Sequence, residues 1–255
     1  MTATTKDQQV GFFHRFKEFK NKTDLEVWKE SFASYRSFIY RFYDARENAT
    51  EAERKEASSY NLFNILKLQS SEVRFHTPIL ANLLNPMGSH AQGDIFYKHF
   101  LAACLLRHGR LIDGANNVNL ADLYVKDEKS TNYGNIDILI ESREAFNRFV
   151  IIIENKVWAK DQHRQLYRYL CYARKELGLQ PDRIRIVYLT PYGKEPSYDG
   201  LNPDEKKELK EVLVLASYTD HINKMLDRVL SGLQIEAPKV WSIVHQYKLT
   251  LNESF

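Results

Sequence analysis

The reading turns on residues 135–169: N-I-D-I-L-I-E (Asn135 to Glu141), a polar break, F-V-I-I-I-E-N-K (Phe149 to Lys156), then D-Q-H-R-Q-L-Y-R-Y (Asp161 to Tyr169). Ile136, Ile138 and Ile140 alternate with Asp137, Leu139 and Glu141, the period-two pattern of a strand. Residues 149–153 are apolar on both faces, as expected of a central strand covered by helices. Residues 161–177 read as a helix, with Leu166, Tyr169, Leu170, Ala173 and Leu177 at helical spacing. Gln162, Gln165, Tyr169 and Tyr172 form a second, more polar stripe on that helix.

Side chains two apart on a strand share a face, so Glu154 and Lys156 point the same way. The short polar connection between the two strands predicts an antiparallel hairpin. If Asp137 opposes Glu154, then Glu141 faces Val150 and residues 142–149 form the connection. That register brings two carboxylates and a lysine to one face. Mg²⁺ takes oxygen ligands in near-octahedral geometry and keeps several waters, so Asp137 and Glu154 would leave room for water and a phosphate oxygen. A metal held there would activate a water for phosphodiester cleavage. Lys156 would orient that water or stabilise the transition state, and the Asn155 carbonyl, between the two side chains, is a further hard ligand. E-x-K alone carries little weight, since Glu18/Lys20, Glu53/Lys55, Glu205/Lys207 and Glu208/Lys210 repeat it in charged helical stretches. Only Glu154/Lys156 ends a buried-type strand; the competing explanation is a strand-end salt bridge.

Around this centre the pattern is mainly helical. Thr23 and Glu26 form a candidate capping box, and residues 47–56 read as a solvated charged stretch. Residues 61–68 return to helical apolar spacing. Thr77-Pro78 signals a helix start, Asn85-Pro86 its end, and Asp94 is a cap for a helix through His108, closed by Gly109. Strands are expected at 123–128, 183–190 and 212–217, with a turn at 131–135 and a loop at 191–201. Asn202-Pro203 opens a charged helix, Asp220 caps one that ends near Gly232, and Pro238 starts the last. The order predicts an α/β domain with a mixed β-sheet flanked by helices, a helical N-terminal layer and a helical C-terminus.

The 255 residues can bury a sizeable core. A net charge of +3 is too small to imply a nucleic-acid partner by itself, so any basic patch must be local. Lys129, Lys160, Arg164, Arg168 and Lys194 are the nearby candidates. Two cysteines, Cys104 and Cys171, make no disulfide scaffold or thiolate zinc site. The polar start and the absence of a long aliphatic run predict a soluble, cytoplasmic chain with no membrane partner. His76, His90, His99 and His108 form no H-x-x-x-H or H-E-x-x-H pair, so a zinc hydrolase is not expected; His76 and His90 read as structural.

I-D-I-L-I-E … I-I-I-E-N-K … D-Q-H-R-Q-L-Y-R-Y resembles the core of the PD-(D/E)XK nuclease superfamily, in particular a bacterial branch with an E-N-K strand followed by a Q-L-x-R-Y helix. S-E-V-R-F-H-T-P-I-L-A-N-L-L-N-P-M-G-S-H is similar to the same branch. Ile136 stands where the superfamily name has proline. The resemblance implies a restriction-endonuclease-like fold in one nuclease-like domain over 1–255, with a helical extension (1–60), a core (61–190) and a helical C-terminal part (191–255). It implies Asp137 and Glu154 as metal ligands for Mg²⁺ (or Mn²⁺), Lys156 as the catalytic lysine, Gln165 as the supporting glutamine and Glu72 as the acidic residue before the core. Glu128 is a rival to Glu72 as third acid. The implied function is a metal-dependent nuclease acting on DNA, with a homo-oligomer left open. The alternative is a catalytically silent nucleic-acid-binding or regulatory protein on the same fold.

Overall fold

The computed structural model describes residues 25–57 and 60–255. The chain divides into two compact units, Met1–Tyr60 and Asn61–Phe255. In the first, α1 (Leu25–Glu56) is a single long helix. Phe32, Tyr35, Ile39 and Phe42 follow one another on it in steps of three and four residues, the spacing of a coiled-coil seam. Residues 47–51, with Glu47 and Glu51, are exposed, and Thr23 lies outside the described residues.

The second unit is built on a five-stranded sheet in the order β1-β2-β3-β4-β5: Leu123–Thr131, Gly134–Ser142, Phe149–Asn155, Ile184–Thr190 and Leu213–Ser217. The β1–β2 and β2–β3 pairs are antiparallel. The β3–β4 and β4–β5 pairs are parallel, bridged by the helices α5 (Gln165–Lys175) and α6 (Pro203–Val212) as parallel strands require. The β2–β3 register sets Glu141 against Val150 and Ile138 against Ile153. The ladder runs one pair further than the sequence suggests, to Ser142 against Phe149, so the connection is residues 143–148. β1 likewise reaches Thr131, whose hydroxyl closes the turn by donating to the Gly134 carbonyl (2.7 Å) and accepting from the Tyr133 N–H (3.0 Å).

All of β3 is buried, because both faces of the sheet are covered. On one face Ile138, Ile140, Ile151 and Ile153 join the larger core, with Leu80, Phe96, Leu226 and Tyr247 from the helices. On the other, Leu139, Val150 and Ile152 pack against Leu166, Leu170 and Ala173 of α5 and Leu209 of α6. The larger core also takes the helices α2 (Leu62–Ile65), α3 (Thr77–Leu84), α4 (Ile95–Phe100), α7 (Asn223–Glu236) and α8 (Pro238–Ser254).

Several helix starts differ from the expectation, each for a local reason. The run into α3 begins at Glu72, where the Ser71 hydroxyl accepts from the Arg74 N–H (3.1 Å). A widened turn, Thr77 N–H to Glu72 carbonyl, carries it into Pro78, which has no N–H to donate. Asp94 does not cap α4; its carboxylate pairs with Lys98 at 2.9 Å. Asp161 does not start α5, because its carboxylate accepts from the Tyr188 hydroxyl (2.6 Å) and the Ser197 N–H (2.7 Å). The helix begins instead after Arg164, which takes a left-handed φ of 54°. Ser217, not Asp220, supplies the capping oxygen before α7, and α7 continues through Gly232 to Glu236. His76 and His90 are structural: their Nε2 atoms lie 2.9 Å from the Gln69 and Asn85 carbonyls. Among the described residues, no helix is long and apolar enough to cross a membrane.

Candidate active site

The site gathers where β2 and β3 emerge beside the start of α5. Glu154 is fully buried. An unpaired buried carboxylate is costly, and its surroundings answer that cost in part. The Lys156 ammonium lies 2.7 Å from Glu154 Oε1, an ion pair with both side chains almost wholly out of solvent. Apart from that ammonium, Oε1 has no hydrogen-bond donor among the described residues. On the other oxygen, the Tyr169 hydroxyl lies 3.0 Å from Glu154 Oε2 and also contacts the Asn135 carbonyl; its one proton serves these acceptors in turn. Gln165 Nε2 donates to that hydroxyl at 3.0 Å, one helical turn earlier on the same face. Gln165 therefore reaches Glu154 through Tyr169.

Asp137 stands on β2, one residue before Ile138 in the antiparallel ladder, and its Oδ2 accepts from the Asn155 N–H at 2.7 Å. Burial first, and the Glu154 carboxylate second, push Asp137 up to about 8, against the Asn155 N–H that favours the ionised form. Burial likewise raises Glu154, although Lys156 opposes it. Burial alone would lower Lys156, but Glu154, Asp137 and Glu72 together hold it above the usual lysine range.

The other candidates have different surroundings. The Asn155 side chain serves the opposite layer: Nδ2 donates to Thr77 Oγ1 (3.1 Å) and Oδ1 accepts from the Tyr218 hydroxyl (2.9 Å). Glu72 Oε1 accepts from the backbone N–H groups of Trp158 (2.5 Å) and Ala159 (2.9 Å), just past Lys156. Glu128 comes opposite Asp137 on β1, where the ladder skips a pair and Glu128 takes a φ of 46°. Arg164 is occupied by Glu205 and the Gly200 carbonyl, both at 2.5 Å, and Arg168 donates to Gln162 Oε1 at 3.0 Å.

A divalent cation suits this arrangement. Burial raises both carboxylates, and the Glu154 charge raises Asp137 further, so a cation between them would relieve both. No group of three or more His, Cys, Asp or Glu side chains among the described residues is arranged to hold a metal. A cation on Asp137 and Glu154 would complete its shell with water and substrate oxygen, as Mg²⁺ commonly does.

A sequence model of the PD-(D/E)XK nuclease superfamily matches residues 60–248, so the chain belongs to that superfamily. Membership and the mixed sheet flanked by helices define a restriction-endonuclease-like α/β protein, of nuclease type in general terms. PD-(D/E)XK nucleases generally use divalent metals. No curated protein and no solved structure matches the chain.

Helical periodicity places Tyr169 only in an apolar and a polar stripe. The i, i+4 spacing from Gln165 was the one signal that the hydroxyl works with the glutamine. Tyr169→Phe is expected to keep the fold and weaken divalent-cation binding about 10-fold, as loss of a ligand-orienting contact does. Calorimetric titration showing unchanged affinity would remove Tyr169 from the site.

The raised Asp137 also has a pH consequence. Between its ordinary value of 3.8 and about 8, the native state keeps a proton that the unfolded chain has released. Stability of the metal-free protein should therefore fall as pH rises through that window. The difference in thermal midpoint between wild type and Asp137→Asn should shrink or reverse in the same direction. A difference that stays constant with pH contradicts the shift.

Proposed function

We propose that this protein is a Mg²⁺- or Mn²⁺-dependent nuclease that hydrolyses phosphodiester bonds in DNA. The observation that carries the reading is the buried Glu154 carboxylate, flanked by Lys156 at 2.7 Å and electrostatically coupled to Asp137. A bound cation would lower the pKa of its water and neutralise charge on the phosphate. Asp137 and Glu154 would hold it, with the Asn155 N–H orienting Asp137 and the Tyr169 hydroxyl in contact with Glu154. Lys156, on the same strand face as Glu154, orients the attacking water or stabilises the developing oxyanion. Gln165 acts by fixing the Tyr169 hydroxyl. Glu72, with Oε1 on two backbone N–H groups, would reach the cation through its second oxygen or a water. The Asn155 carbonyl remains a candidate further ligand. We take 1–255 as one nuclease-like domain working in the cytoplasm, with 61–190 as its core.

Cleavage assays with Mg²⁺ or Mn²⁺ over circular, linear and single-stranded DNA decide the matter, with Asp137→Ala as the inactive control. Lys156→Ala is expected to keep nucleic-acid binding and lose about 100-fold or more in rate, the cost of removing one transition-state charge contact. Equal rates would reduce the lysine to a strand-end ion-pair partner. A wild type that binds nucleic acid tightly but cuts nothing with either metal would establish the silent, regulatory alternative.

A homo-oligomer belongs to the same reading. Tyr35, Ile39 and Phe42 of α1 lie at heptad spacing, with Phe38 and Tyr43 exposed beside them, and a second copy of α1 is the partner such a seam fits. In sedimentation equilibrium, Ile39→Asp should shift the full chain toward monomer. The same mass for wild type and variant rejects the seam.

A further inference from the structure

We propose that Trp158 and the recess beside it receive one unpaired nucleobase of the strand being cut. This rests on the nuclease reading above and names the form of substrate that the site prefers. Trp158 follows Lys156 by two residues, a span of at most about 7 Å along the chain. It is 62% exposed, a large apolar surface left in water two residues past the lysine. The segment is fixed: the backbone N–H groups of Trp158 and Ala159 are held by Glu72 Oε1 at 2.5 and 2.9 Å. The indole leans on Phe255, with ring centroids 6.1 Å apart. An exposed indole on a pinned backbone, backed by a second ring, is a ready stacking platform.

The recess has the chemistry to match. It encloses about 280 Å³ and is lined by Asn64, Gln69, Ser70, Trp158, Glu253 and Ser254. That is at or below the lower end for drug-sized ligands, at about 300 Å³, and suits a single ring system. Five of the six lining residues carry amide, hydroxyl or carboxylate groups, the donors and acceptors that read the edge of a base. The amide oxygen of Gln69, in the same wall, is buried without a hydrogen-bond donor among the described residues. Within the wall Asn64 already pairs with Glu253, and the Ser254 hydroxyl donates to the Thr250 carbonyl, so Ser70 and the Gln69 amide are the groups that favour a base edge over an apolar side chain. A base inside a closed duplex has its faces and pairing edge already occupied. The recess therefore selects single strands, frayed ends or extruded nucleotides over closed duplex.

The experiment compares wild type, Trp158→Phe and Trp158→Ala, all as the full chain, in metal-free buffer at one salt concentration. Folding of each is checked by thermal melting. The probes are a single-stranded DNA oligonucleotide, the same strand with one abasic position moved along it, and a closed hairpin duplex. Loss of one stacked base costs binding on the order of 5- to 150-fold. Trp158→Ala should lose that factor on the single strand, Trp158→Phe should keep most of the affinity, and the hairpin should be unaffected. An abasic site at one position should cost wild type a similar factor, and cost Trp158→Ala little more. Equal single-strand affinity for wild type and Trp158→Ala, or no abasic position that matters, overturns the proposal. If Trp158 and one abasic position are coupled while wild type cuts nothing with Mg²⁺ or Mn²⁺, the recess stands and the nuclease reading falls. If wild type cuts DNA and the coupling is absent, the nuclease reading stands and the recess falls.

Discussion

Burying Glu154 is the constraint on which the rest of the site depends. A carboxylate with no exposure cannot rely on water, and an isolated charge in that position would simply stay protonated. Its two oxygens therefore dictate their neighbours. Oε2 needs a donor and has the Tyr169 hydroxyl; Oε1 needs a cation and has the Lys156 ammonium. Neither removes the whole penalty, since burial still raises Glu154 and, with Glu154's charge, raises Asp137. Ion pairs buried this deeply add little stability over apolar packing. On the function proposed above, that cost serves to hold a divalent cation in a dry, preorganised place.

Much of this was legible because strand periodicity and chemistry constrain each other. Side-chain direction alternates along a strand, so requiring Asp137 to share a face with Glu154 and Lys156 allowed few registers, and the observed ladder, from Glu141 with Val150 to Ile138 with Ile153, has the register that continues to Asp137 and Glu154. Helix starts were less legible, because a single acidic or hydroxyl residue has several possible partners. Asp94, Asp161 and Asp220 all stand where a cap belongs. Their carboxylates go instead to Lys98, to Tyr188 and Ser197, and to Arg107 and Lys224. Each competing partner except Lys98 and Lys224 is remote in sequence, so local pattern could not choose between them.

The same limit separates the groups of the site. Asp137, Glu154 and Lys156 carry their evidence in strand position, and Gln165 carries some in helical spacing. Tyr169 looked like core because it is core: its ring is buried among Leu166, Leu170 and Ile152, and only its hydroxyl reaches Glu154. An amphipathic ring of this kind reads as apolar in any periodicity count. Glu72 was visible only through resemblance, since nothing in the sequence shows that its carboxylate meets the backbone after Lys156. Glu128 is a local departure, a non-glycine residue at φ 46° within a strand. Such geometry persists only where surrounding structure enforces it, and here it falls opposite Asp137.

Three consecutive residues join the site to both layers of the protein. Glu154 and Lys156 face the α5 side, where Tyr169 waits. Asn155 faces the other way, with its amide between Thr77 and Tyr218 in the larger core. Its N–H, in the plane of the sheet, holds Asp137. A slip of β3 by one residue would turn the Asn155 side chain toward α5 and drive Glu154 and Lys156 into the apolar layer around Tyr218 and Tyr247. The ion pair would then be buried without the Tyr169 hydroxyl, and the Asp137 carboxylate would lose its donor. The apolar residues of β3 could not prevent this by themselves, because Val150 to Ile153 are nearly interchangeable between the faces. The polar residues at the strand end make the register unambiguous. The arrangement that permits chemistry is thus also the one that aligns the central strand.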